Sequence, residues 1–278
     1  HAQQKQPGFK AGVLIGCGFA GAVLGTAIGT LCTSTFMPSW AWRIPFIVGG
    51  IFGLVALYLR SYLKETPVFK AMQARKELSK EMPVKQVLAS HKTAVVIGML
   101  LTWFLTACVV VLILAMPNLL TGAFGFERSD AFKMQSAAII MQMLGCILAG
   151  TLADRFGAAK VLIVGSLGVA AIATIFYHSL GAVSPTTVFA LYMLLGLFSG
   201  TVGLVSYSMV KMFPAPIRFS GISFSYNVAY AIAGGITLPL VQWLSLYSNI
   251  GAMYYIWLVC LVCFFTALIY RNQFEAKP

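Results

Sequence analysis

Thr102, Trp103 and Thr106, Gln135 and Gln142, Ser206, Tyr207 and Ser208, and Ser223, Ser225, Tyr226, Asn227 and Tyr230 are polar side chains set inside long apolar stretches. None is ionised at neutral pH, so their chemistry is hydrogen bonding and, for the aromatic rings, cation–π attraction. Gln135 and Gln142 are seven apart and so close to one helix face, while Tyr226 and Tyr230 share a face at i,i+4. Trp103, Tyr226 and Tyr230 together would suit a quaternary ammonium. Each position has two readings: contact with a small polar molecule in a central cavity, or a hydrogen bond between helices. For the three aromatics the alternative is packing or an interfacial belt. His1, His91 and His178 lie at or near loop boundaries and form no catalytic or metal cluster. The six cysteines, Cys17, Cys32, Cys108, Cys146, Cys260 and Cys263, sit in or beside apolar runs as small apolar filler. The expectation is no enzyme, no cofactor and no metal.

The elements that must hold these residues are membrane helices. No Lys, Arg, Asp or Glu occurs between Lys160 and Lys211 or between Arg218 and Arg271. Each gap is about twice the ~20 residues one helix needs to cross a bilayer core. Leu180-Gly-Ala-Val-Ser-Pro185 and Leu246-Tyr-Ser-Asn249 interrupt them near the middle, so each reads as a helical hairpin. Charged residues make up 9% and hydrophobic ones 59%, against about 25% charged in a soluble domain. The long unbroken runs exclude an outer-membrane barrel, whose short segments alternate. Eight spans are predicted, over 11–33, 44–63, 93–116, 132–153, 160–179, 185–210, 219–245 and 252–270. A polar segment, 64–92, separates the second from the third and reads as one or two short surface helices broken at Pro83.

Alternating the loops puts Lys5, Lys10, Arg60, Lys64, Lys70, Arg75, Lys76, Lys80, Lys85, Lys92, Arg155, Lys160, Lys211, Arg218, Arg271 and Lys277 on one side, 16 of the 19 basic residues. Only Arg43, Arg128 and Lys133 fall on the other. Basic loops stay cytoplasmic, so both termini and the long loop are expected there. The net charge of +12 thereby reads as loop charge rather than a nucleic-acid footprint. Two features suggest helix contacts: Gly21, Gly25 and Gly29 on the first span, and Gly196 and Gly200 on the sixth. Gly234, Gly235 and Pro239 are candidates for a kink or gate in the seventh.

Two stretches are more specific. Gly150-Thr-Leu-Ala-Asp154-Arg155-Phe-Gly157-Ala-Ala-Lys160 resembles the signature loop of the major facilitator superfamily. Trp42-Arg43-Ile44-Pro45-Phe46, with Leu59-Arg60-Ser-Tyr-Leu-Lys-Glu65-Thr-Pro-Val-Phe69, is similar to motifs around the sixth helix in its sugar-porter and metabolite:proton symporter branches. The stretch from Arg218 to Gly235 is most similar to the proline/betaine and α-ketoglutarate permeases. The resemblance implies an all-α, polytopic transmembrane bundle with eight of the family's twelve helices. Residues 1–63 would hold the last two helices of the N-terminal half, 64–92 the central cytoplasmic loop, and 93–278 the C-terminal half. It also implies a multi-pass protein of the bacterial inner membrane that carries proline, glycine betaine or a similar osmolyte with protons, by alternating access. The alternatives are a di- or tricarboxylate proton symporter, or a transport-inactive remnant or scaffold. Implied partners are the solute, protons, the lipid bilayer and a separately encoded N-terminal part; no nucleic acid is expected. No membrane-centre Asp or Glu is present for the proton step, which the resemblance assigns to the family's first helix. Finally, it docks the signature loop on the start of the family's fifth helix. Asp154 is therefore expected against residues 8–12 and beside Arg155, with Gly150, Gly157 and Lys160 shaping a gating loop.

Overall fold

The computed structural model describes residues 6–32, 37–38, 40–62, 83–248 and 250–275. It is an all-α polytopic membrane bundle with eight helices long and apolar enough to span a bilayer. In chain order the elements are α1 (Pro7–Cys32), α2 (Ile44–Ser61, entered through a 3₁₀ turn at Ala41–Arg43), α3 (Pro83–Ser90), α4 (Lys92–Val109), α5 (Met116–Phe124), α6 (Arg128–Phe156), α7 (Ala158–Ser179), α8 (Pro185–Ser199), α9 (Gly203–Met212), α10 (Arg218–Tyr247) and α11 (Gly251–Tyr270). α8 and α9 form one span joined by a 3₁₀ turn, and α11 runs on through a π turn to Glu275. The eight predicted spans are all present, with ends displaced by a few residues. The short α5 was not anticipated. Pro83 begins a helix rather than merely breaking one, and residues 63–82 of the polar segment lie outside the described residues.

The boundaries follow local chemistry. Ser184 caps α8: its hydroxyl accepts the Thr187 N–H at 3.3 Å, and Pro185 takes the first helical position, where its missing N–H costs nothing. Gly157 turns α6 into α7 at φ +90, a left-handed value that a side chain would strain. α10 runs as one helix through Gly234 and Gly235 and past Pro239, which lies inside it.

In lipid no hydrophobic force pulls apolar helices together, so close backbone approach has to do so. Close approaches here occur at small residues. α1 lies along α6, where a Cβ at Gly12 would collide with the Cys146 carbonyl and one at Gly16 would sit 3.3 Å from Met143. α6 crosses α8, with Gly196 against Ala138 and Gly200 against Gly145. α10 packs on α4, Ser225 facing Gly98, and α11 packs on α7.

Gly21, Gly25 and Gly29 do not make the expected contact: among the described residues nothing lies within 4 Å of a Cβ built on any of them. The reason is helical phase. At 3.6 residues per turn the face bearing Gly8, Gly12 and Gly16 also carries Phe19, Val23 and Thr26, while Gly21, Gly25 and Gly29 are centred about 140° around α1. Phe19 and Val23 pack on the core, and Thr26 meets the Ser136 hydroxyl at 3.3 Å. α2 has no buried residue among those described.

Candidate functional site

Two carboxylates lock helix starts at the end of the bundle that holds the α6–α7 turn. Asp154 sits in the last turn of α6 and accepts the Gly8 N–H at 2.7 Å through Oδ1 and the Phe9 N–H at 2.8 Å through Oδ2. The first N–H groups of a helix have no partner within it and carry the positive end of its dipole, so a carboxylate there satisfies both needs. Gly8 is required because a Cβ would meet the Gly150 carbonyl and the Asp154 carboxylate. Gly150 is small for the reciprocal reason, lying against Gly8. The expected placement of Asp154 on the start of α1 is therefore found. Its expected pairing with Arg155 is not: the Arg155 guanidinium stands 5.6 Å from the Phe156 ring centroid. Among the described residues the ion pair formed is Lys133 with Asp130, at 2.9 Å.

Glu275 performs the same operation on α7 and was missed from the sequence. Its Oε1 accepts the Ala158 N–H at 2.7 Å and its Oε2 the Ala159 N–H at 3.1 Å. A Cβ on Gly157 would approach Glu275 Oε2 to 2.9 Å, so the turn glycine also makes room for this cap. Asp154, Gly157, Lys160, Tyr207, Lys211, Arg271 and Glu275 share a polar cavity of about 680 Å³. Lys211 Nζ lies 4.5 Å over the buried Tyr207 ring.

Inside the bundle, α4 ends in a wide π turn, Val110–Leu114, closed by Ala115 N–H to the Val110 carbonyl at 2.9 Å. Pro117 has no N–H to offer the Ile113 carbonyl four residues back. Gln135 of α6 supplies the replacement, its Nε2 donating to that carbonyl at 2.9 Å. Tyr192 of α8, also missed, donates to the Leu112 carbonyl at 2.7 Å. Pro117 was the available signal for this arrangement.

The remaining polar residues divide. Thr102 and Thr106 are buried and donate back to Gly98 and Thr102 carbonyls, each at 2.8 Å, as hydroxyls in membrane helices commonly do. Gln142 is fully buried, and neither amide atom has a partner among the described residues. Trp103 Nε1 donates to the Tyr255 hydroxyl at 2.8 Å, which also meets Thr237 Oγ1 at 2.7 Å. Tyr226 and Tyr230 stack with centroids 5.6 Å apart and planes 14° from parallel. Asn227 is exposed and bonds Ser223 on its own helix at 2.8 Å. Trp103 lines a groove of about 270 Å³ with Tyr255, Ala229 and Ala233, and Tyr226 and Tyr230 are not among the residues lining that groove.

The sequence profile of the Major Facilitator Superfamily matches residues 7–237. This chain belongs to that superfamily. It is similar to the inner membrane metabolite transport protein YhjE of Escherichia coli, at 30% identity over 88% of this chain and 56% of that protein. It is 28% identical to the proline/betaine transporter of Salmonella typhimurium, over 88% of this chain and 51% of the relative. The glycine betaine/proline/ectoine/pipecolic acid transporter OusA of Dickeya dadantii is 25% identical over 100% of this chain and 58% of its own length. The chain thus spans little more than half the length of these curated relatives.

Proposed function

We propose that this chain serves secondary transport of a small polar solute across the bacterial inner membrane, by alternating access. The observation that carries the reading is the Asp154 clamp. Two short hydrogen bonds at one end of the α1–α6 contact form an inter-helix latch, made of groups that water can satisfy when it opens. A carboxylate at an exposed helix start contributes about 0.3–1 kcal/mol, enough to bias a two-state carrier without freezing it. The buried Gln142 carboxamide and the Tyr226–Tyr230 stack supply polarity and aromatic surface away from the latch.

Proline or glycine betaine is the first substrate class, with proton coupling as in the resemblance. The named relatives that act on these solutes support it. So does the lack of Lys and Arg between Lys160 and Lys211 and between Arg218 and Arg271, since a dicarboxylate would want a bidentate cation. The 16-to-3 basic asymmetry supports a cytoplasmic position for both termini. The test is uptake of labelled glycine betaine, proline and α-ketoglutarate by cells lacking their own carriers for them. Accumulation of the zwitterions, abolished by a protonophore, is expected. Uptake of the dicarboxylate alone would overturn the substrate class, and no uptake of any would favour a scaffold.

A further inference from the structure

Two cavities meet at Lys160 and Phe156. One is the polar cavity already described, with Lys160, Lys211 and Arg271 on its wall. The other is an apolar groove of about 420 Å³ between α6, α7 and α8, lined by Leu148, Leu152, Val161, Val164 and Phe198 and ending at the same Lys160. Leu148 and Val164 are exposed, so the groove opens to the surrounding hydrocarbon. Of the charged groups on the polar side, Asp154 and Glu275 each commit both carboxylate oxygens to backbone N–H groups. None of the three cations forms an ion pair among the described residues. A dry channel for a chain, leading to a wet pocket with an excess of positive charge, is complementary to one kind of molecule.

We infer that this is a binding site for an anionic phospholipid, its acyl chain in the α6–α7–α8 groove and its phosphate at Lys160, Lys211 and Arg271. Charge complementarity decides the occupant over a zwitterionic lipid, whose own ammonium would meet three cations. Lys211 is held over Tyr207, which orients its ammonium without neutralising it. Occupancy places a ligand beside both capped helix starts, so it biases the latch through the same electrostatics that Asp154 and Glu275 use.

The test is native mass spectrometry and thermal unfolding of the purified protein in neutral detergent with dioleoyl phosphatidylglycerol, dioleoyl phosphatidylcholine or inorganic phosphate. Preferential retention of the phosphatidylglycerol, with a raised unfolding midpoint, is expected. Each cation removed should lower that preference about five-fold, and K160Q/K211Q/R271Q should abolish it. K211Q alone and Leu148→Trp, which fills the groove, give the same direction should the triple variant fail to fold. Arg128→Gln and Lys133→Gln, at the opposite end, should leave the preference intact. Equal retention of both lipids, or a preference surviving in K211Q and Leu148→Trp, would overturn the site. Equal protection by inorganic phosphate alone would reject the lipid as occupant.

Discussion

Along α1, Gly8, Gly12 and Gly16 and then Gly21, Gly25 and Gly29 form two stripes of identical spacing, yet their surroundings are opposite. The first presses against the backbone of α6; a Cβ built on any glycine of the second would meet nothing within 4 Å among the described residues. Apolar character does not separate them, because the whole helix is apolar. The difference is phase around the helix, and it shows that a small-residue stripe creates a contact only where a partner backbone is presented to it. The docked stripe is also the one that ends at Asp154. Tight packing and the polar latch therefore belong to the same face.

Substitutions should separate the two stripes sharply. Gly12→Leu drives a side chain into the Cys146 carbonyl, and overpacking of this kind costs about 1–3 kcal/mol. Unfolding in mild detergent, or loss of a Lys10–Thr151 crosslink between α1 and α6, would register it. Gly25→Leu should change the same readouts by less than about 0.5 kcal/mol. Equal effects at both sites would remove the distinction.

The next largest effect is expected inside the bundle, away from α1. Gln135→Ala frees the Ile113 carbonyl that Pro117 cannot serve. Interhelical hydrogen bonds in membranes contribute about 0.6 kcal/mol on average and up to about 1.7. A loss in that range is expected, and Gln135→Ala combined with Pro117→Ala should recover part of it, because the restored N–H can serve the carbonyl. Absence of recovery in the double variant would contradict the replacement argument.

Asp154→Asn probes the polar end of the docked stripe. The amide retains an acceptor but loses the charge, so about 0.3–1 kcal/mol should go, shifting the open-to-closed ratio roughly two- to five-fold. Membrane insertion should be unchanged. Single cysteines at Gln73 and Ser248, in a background without the native six, sharpen the comparison by orienting it. Gln73 should label only from the cytoplasm and Ser248 only from outside; labelling of both from one side would break the proposed topology.

Much of this was legible because charge and hydropathy govern membrane helices. The gaps from Lys160 to Lys211 and from Arg218 to Arg271 marked four spans, and each is present. Asp154 on the start of α1 was legible through the signature loop. Its counterpart Glu275 was not, since its partners are backbone N–H groups 117 and 116 residues away, which no side-chain pattern announces. The two glycine stripes were indistinguishable by spacing, and the partner backbone that separates them belongs to α6. Thr102 and Thr106 illustrate the remaining difficulty: a hydroxyl that bonds its own helix and one that faces a solute have the same sequence signature.

The most direct measurement concerns the latch itself. Spin labels at Lys10 and Thr151, on α1 and α6 beside Asp154, report the distance across the docked stripe in membranes. Two populations are expected, with glycine betaine or proline changing their ratio and Asp154→Asn enriching the longer distance. A single distance, unaltered by either solute and by the substitution, would contradict an alternating-access carrier closed by Asp154.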